Sequence, residues 1–153
     1  MTISAMTKIT EFQGEHRFLS NFWPAPVVLN DEEYSTMEHA YQAAKSVNPI
    51  ERAMIRRCAT PGEAKRAGRR ITIRRDWDQV KEDYMRELLR IKFSYPKLRQ
   101  QLLATGDALI EEGNRWGDTF WGIDLRTGRG QNKLGRLLMA IRADLRAQDS
   151  PPA

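Results

Sequence analysis

Cysteine and histidine are nearly absent from this chain: 153 residues include one Cys, Cys58, and two His, His16 and His39. A lone cysteine forms no internal disulfide, which excludes a disulfide-stapled scaffold and fits a reducing cytoplasm as the expected location. Three such side chains also make no metal-ligand cluster of recognisable spacing, so neither a metal nor a cofactor is expected. A magnesium ion held by carboxylates alone stays compatible with the composition. No apolar run approaches the roughly eighteen residues needed to cross a bilayer, and no contact with a membrane is expected. Residues 1–6 lack the charged start and long apolar stretch of a secretory signal. Cys58, set among arginines on a predicted helix, reads as a half-buried structural thiol rather than a reactive one.

What the chain does contain is aromatic and basic. Hydrophobic residues make up 41%, with four Trp, five Phe and four Tyr, which excludes a disordered protein. The length suits one domain with a real core. A domain over residues 7–147 is expected, followed by a disordered tail, 148–153. Lys and Arg outnumber Asp and Glu by 25 to 20, for a net charge of +5. They cluster at residues 52–57, 65–75 and 126–146, which points to an anionic partner, either a phosphorylated metabolite or a nucleic acid. No helix-turn-helix or RNA-recognition signature is visible.

The periodicity predicts short strands at Lys8–Phe12 and Val27–Leu29, the second closed by an Asn30-Asp31 turn, and a third strand at Ala108–Glu111. Helices are predicted over Ser35–Lys45 and Ile50–Cys58, after the cap and proline of Thr60-Pro61-x-Glu63, and over Pro96–Ala104. A long helix capped by Asp76 carries the stripe Val80, Tyr84, Leu88 and Ile91. The last helix, capped by Asn132, carries Leu134, Leu137, Leu138, Ile141 and Leu145. The class is α+β: a mainly helical single domain with a small antiparallel sheet.

The helix Ser35–Lys45 carries the most chemistry. At 100° per residue, Glu38, Gln42 and Lys45 share a narrow polar stripe beside the apolar Met37, Ala40, Tyr41 and Ala44. The Cα atoms of Glu38 and Lys45 are then about 10 Å apart, too far for an intimate ion pair but wide enough for a sugar or base between them. A structural reading fits the same residues. Ser35-x-x-Glu38 matches a capping box, and Lys45 suits the negative end of the helix dipole.

Three further segments are candidates. In Trp116-Gly117-Asp118-Thr119-Phe120-Trp121-Gly122, two Trp-Gly pairs bracket an aspartate, so ring, backbone and carboxylate can all approach a flat ligand. Asp118 there either supports an oxocarbenium-like centre or activates water, or simply binds local amides. The loop Gly128-Arg129-Gly130-Gln131-Asn132-Lys133 feeds a helix N-terminus and suits a phosphate, although it matches neither a Walker A nor a dinucleotide fingerprint. Trp77 opens the long helix, where it either stacks on a base or packs against a neighbouring helix.

Taken together, Phe18-Leu19-Ser20-Asn21-Phe22, Glu38-His39-x-Tyr41-Gln42-x-x-Lys45, Asp76-Trp77, Asp118-x-x-Trp121-Gly122 and Gly130-x-Asn132-x-Leu134-Gly135 with Leu138-Met139-x-x-Arg142 resemble the NADAR, or YbiA-like, family. The blocks span roughly residues 12 to 145 in order. The resemblance implies an N-glycosidase, hydrolysing the bond between ribose and a base. Its substrates would be ribosylaminouracil phosphate intermediates of riboflavin synthesis, or ADP-ribose on guanine in nucleotide, DNA or RNA (de-ADP-ribosylation). It implies catalytic roles for Glu38, Asp118 and Lys45, the lysine by a Schiff base, and an essential aromatic at Trp77. Ligand contacts are expected from Asn21, Phe22, Gln42, Trp121, Arg129, Asn132 and Lys133. Asp124 and the Arg126–Arg129 loop depart from the family pattern. Two other classes compete: a catalytically silent ADP-ribose or nucleotide-binding module, and a basic nucleic-acid-binding protein.

Overall fold

The computed structural model describes residues 7–149, so the reading of residues 1–6 and that of residues 150–153 lie outside the described residues. The described residues gather into two compact units, one of residues 21–94 and one formed by residues 7–20 together with residues 95–149.

Strand β1 (Lys8–Ile9) belongs to the other unit, and the 21–94 unit opens with a hairpin. Strands β2 (Pro24–Leu29) and β3 (Glu32–Thr36) pair antiparallel, with Val27 opposite Tyr34 and Leu29 opposite Glu32. Asn30 and Asp31 both take positive φ, 51° and 65°, as a two-residue hairpin turn requires. Strand β3 was not expected. Its residues are mostly polar, yet Tyr34 and Thr36 alternate inward while Glu33 and Ser35 face solvent. Helix α1 (Met37–Ala44) follows without a linker, and all eight of its residues are buried. Alanines at 40, 43 and 44 let its neighbours close in: α2 (Pro49–Arg56), α3 (Pro61–Ala67), α4 (Trp77–Lys92) and the hairpin all pack on it. Thr60 caps α3 as expected, its hydroxyl accepting from Glu63 N.

Helix α4 buries Trp77, Met85, Leu88, Leu89 and Lys92; of the expected stripe Leu88 is buried, while Val80, Tyr84 and Ile91 are only half-buried. A lysine on the core side displaces an apolar count towards the wrong face. Lys92 is 0% exposed, its ammonium 5.2 Å from the Phe93 ring centroid, and burial pushes its pKa down to about 7. Because the folded pKa lies below the unfolded value of about 10.4, this group's stabilising contribution is fully present above that value and is lost as pH falls towards 7. Lys92→Met is therefore expected to gain stability over the native chain as pH drops from 10 to 7. The gain is at most about 1.4 kcal/mol per pH unit, read from urea midpoints. A pH-independent difference would mean that Lys92 does not change protonation on folding.

In the other unit, β1 (Lys8–Ile9) pairs parallel with β4 (Leu109–Ile110), and β5 (Gly113–Asn114) pairs parallel with β6 (Ile123–Asp124). A 3-10 helix spans Gly14–Leu19, α5 spans Pro96–Ala104 and α6 spans Lys133–Asp149. The class is α+β as expected, but among the described residues the small antiparallel sheet is the hairpin alone, and the two other strand pairs are parallel. Helix α6 buries Leu134, Leu138, Ile141 and Leu145, with Leu137 half-buried beside them. It runs on through Gln148 and Asp149, where a disordered tail was expected, and Arg99 holds the Asp149 carboxylate at 2.6 Å. Among the described residues no helix is long and apolar enough to cross a membrane.

Candidate active site

Asn21, Phe22, Glu38, Gln42, Lys45 and Trp77 lie in the 21–94 unit, while Asp118, Trp121, Arg129, Asn132 and Lys133 lie in the other.

In the first set, the switch from strand to helix places Glu38 at the second position of α1. Its amide donates to the Asn21 carbonyl at 3.1 Å, so the aromatic loop satisfies one of the helix's free N–H groups. The expected capping box through Ser35 does not form. Thr36 is the cap, its hydroxyl accepting from His39 N at 3.1 Å and lying 2.8 Å from His39 Nδ1. His39 Nε2 in turn meets the Cys58 carbonyl at 3.0 Å. This fully buried histidine is structural, and it fixes the cap one residue later than the Ser-x-x-Glu pattern suggests. Glu38 is thereby released from capping. Cys58 is half-buried and burial raises its thiol pKa, which suits the structural reading.

The Glu38 side chain is 7% exposed, and Gln42, one turn on and 5% exposed, donates from Nε2 to its Oε2 at 2.6 Å. Burial raises the Glu38 pKa against the opposing pull of the Gln42 hydrogen bond and of Lys65 and Lys45. Lys45 is the C-cap of α1 and half-buried. Its pKa is lowered, first by burial and then by Arg69, Lys65 and Lys81, while Glu38 acts the other way. Burial thus favours the protonated carboxyl and the neutral amine, the forms that a proton donor and a nucleophile require.

Aromatic rings flank this pair. Trp77 packs against Tyr41, with ring centroids 5.2 Å apart, and against Tyr84 at 6.1 Å. The Lys45 ammonium lies 5.8 Å from the Tyr41 centroid. At 8% exposure Trp77 is a packed wall rather than an open stacking platform. Asp76 precedes the helix, but its side chain makes no cap bond; Arg74 takes it as a fork, Nε to Oδ1 at 2.6 Å and Nη2 to Oδ2 at 3.2 Å. Asn21 keeps a buried Oδ1 without a protein partner, and its Nδ2 points at the Met85 sulfur, 3.6 Å away. Phe22, next to it, is half-buried.

In the second set, Asp118 closes a turn. Its Oδ1 accepts from Phe120 N at 3.0 Å and Trp121 N at 2.9 Å, so the local-amide role open to it in the sequence is filled by this oxygen. Asn114, which the sequence did not single out, clamps the Asp118 backbone from both sides, Nδ2 to its carbonyl and Oδ1 from its amide, each at 2.9 Å. A buried Asn four residues before the aspartate was the available signal. Trp121 is half-buried and packs edge-on against Phe120, whereas Trp116 is 62% exposed.

The phosphate cradle expected at the start of α6 is not available. Gln131 N, Asn132 N, Lys133 N and Leu134 N donate to the carbonyls of Thr119, Gly122, Phe120 and Trp121, so the amides meant for an anion are already bonded. Gly130 makes this possible: a Cβ there would sit 2.1 Å from the Gly122 carbonyl oxygen. Nor does the Asn132 side chain cap the helix. Its Oδ1 accepts from Glu112 N and its Nδ2 donates to the Ile110 carbonyl, tying α6 to β4. Lys133 lies over the Phe120 ring at 5.4 Å, and Arg129 is exposed. Asp124 organises the loop by accepting from Arg126 N and pairing with Arg129 through the backbone.

A family model described as the NADAR domain matches residues 9–146. The chain belongs to the NADAR family and is an enzyme of its N-glycosidase class, hydrolases of N-glycosyl compounds. It is 42% identical over 133 residues to N-glycosidase Npun_R5314 of Nostoc punctiforme, covering 83% of this chain and 84% of that one. To N-glycosidase YbiA of Escherichia coli it is 40% identical over 129 residues, covering 82% and 79%. The NMR structure of YbiA matches with a TM-score of 0.82 at 35% identity, covering 94% of this chain and 88% of that one. Riboflavin biosynthesis protein VVA0006 of Vibrio vulnificus is 36% identical over 133 residues, covering 85% of this chain and 36% of that one.

Proposed function

We propose that this enzyme hydrolyses the N-glycosidic bond of a phosphorylated N-ribosyl base, with Glu38 as acid and Lys45 as covalent nucleophile. The observation that carries the reading is the opposed pair on α1: a buried carboxyl with a raised pKa and, two turns on, an amine with a lowered one. Glu38 gives its proton to the ribose ring oxygen, and the bond from that oxygen to C1′ opens. Lys45 Nζ adds to C1′. A proton passes from Nζ by way of the Glu38 carboxylate to the base nitrogen, and the C1′–N bond breaks with its electron pair leaving on the base. Water adds to the imine joining Lys45 to C1′, releasing the amine and the sugar aldehyde. Gln42 holds the Glu38 carboxyl, and Trp77 and Tyr41 wall the amine off from bulk water.

Ribosylaminouracil phosphates of riboflavin synthesis are the first candidates, because one relative carries a riboflavin-biosynthesis name. ADP-ribosylated guanine is the second, since the excess of basic side chains suits a larger polyanion. A chain with a single cysteine suits a reducing cytoplasm, which is where this reading places the enzyme. Incubating the purified protein with each and following released base tests the reading, and release from neither would sink it. No metal enters these steps, and among the described residues no three His, Cys, Asp or Glu side chains are grouped to hold one. Turnover is expected to survive exhaustive EDTA treatment. Activity that vanishes with EDTA and returns only with a divalent ion would refute a metal-free mechanism.

A further inference from the structure

Seven basic residues fall between positions 65 and 81, and the chemistry above gives none of them a task. Three of these, Lys65, Arg69 and Lys81, act electrostatically on Lys45, and Lys65 also acts on Glu38. The backbone explains why they gather there. Gly68 lies so close to Gln42 that a Cβ would sit 1.9 Å from its Oε1, which binds the end of α3 to the middle of α1. Further on, Arg74 N donates to the Lys45 carbonyl at 2.7 Å, so residues 69–74 follow the end of α1. Helix α3 thus supplies Lys65, the turn after it Arg69, and the second turn of α4 Lys81. Arg74 does not belong to the group, because Asp76 and the Tyr84 hydroxyl occupy its guanidinium. Lys81 leans on the exposed Asp78 at 3.2 Å, a contact within reach of solvent.

Cations gathered on one side of a half-buried amine repel it and one another, and an anion among them relieves that repulsion. A phosphate dianion fits such a group best, as the acceptor of several charge-assisted hydrogen bonds. We propose that Lys65, Arg69 and Lys81 form an anion subsite beside Lys45 that receives the phosphate carried on the ribose of the substrate. This rests on the phosphorylated N-ribosyl reading and narrows it, assigning the phosphate to residues 65–81 in place of the already bonded amides at the start of α6.

Titration of the purified protein with ribose 5-phosphate and with ribose, followed by calorimetry, tests the subsite without any turnover. Ribose 5-phosphate is expected to bind at least about tenfold more tightly than ribose, a typical margin for charge-assisted bonds. Lys65→Gln/Arg69→Gln, with its fold checked by circular dichroism, is expected to erase most of that margin. Arg69→Lys should keep most of it, and Arg90→Ala, which removes a cation paired with Glu87 further along α4, should keep all of it. The proposal is overturned by an unchanged margin in Lys65→Gln/Arg69→Gln, by its loss in Arg129→Ala/Lys133→Ala instead, or by no preference for the phosphate. A protein that holds ribose 5-phosphate through these residues yet releases no base from either candidate keeps the subsite and loses the proposed substrates. An active one whose margin ignores them does the reverse.

Discussion

Borohydride added during turnover is expected to leave a reduced sugar adduct on Lys45, and Lys45→Arg is expected to bind substrate while turning over none of it. The imine requires an amine that is neutral part of the time. The structure lowers the Lys45 pKa by burial and by Arg69, Lys65 and Lys81, although Glu38 pulls the other way. Arginine keeps the positive charge and much of the packing on Tyr41, but its guanidinium does not deprotonate in a protein and forms no imine. KM is thus expected to stay within a few-fold while kcat falls by about a thousandfold or more, as when a covalent nucleophile is removed. The adduct, located by peptide mass, should be absent from the variant. A fully active Lys45→Arg protein with no adduct on the native enzyme would return the chemistry to its carboxylates.

The elements were more legible in the sequence than the bonds made at their ends. Helices α3, α5 and α6 carry apolar stripes or Pro and Thr signals that few alternatives satisfy, and they form as expected. Helix caps are different, because several side chains compete for the same amides. Ser35 lost to Thr36 because His39 folds back onto the threonine hydroxyl and the Cys58 carbonyl, a partner nineteen residues away. Asp76 was drawn off its helix by the stronger fork of Arg74. The glycine-rich loop before α6 looked like a phosphate site because amides at a helix start are normally free. Here carbonyls from the preceding turn reach them first, a long-range closure that composition does not reveal. The Glu38, Gln42 and Lys45 stripe was readable because it depends on helical spacing alone. The approach of α3 with its cations was not, since it depends on a missing Cβ at Gly68.

Glu38→Gln is expected to lower turnover by about a hundredfold or more, the usual contribution of a general acid–base group. An amide keeps the size of the side chain and an acceptor for Gln42 Nε2, so the local packing on α1 survives. It does not carry a proton that can be given to the ribose oxygen and recovered. Stability should move in the opposite direction to activity. The folded-state pKa of Glu38 is raised by burial, so its contribution to stability is fully present below the unfolded value and is lost as pH rises through the folded one. A neutral glutamine bears no such penalty, and the variant should gain on the native chain as pH climbs from 4 to 8. Paired urea titrations across that range, with kcat measured on the same preparations, read both effects. Near-native turnover in a folded Glu38→Gln protein would leave Glu38 only a place in the core. A stability difference that does not change with pH would show instead that the carboxyl is ionised as readily when buried as in the unfolded chain.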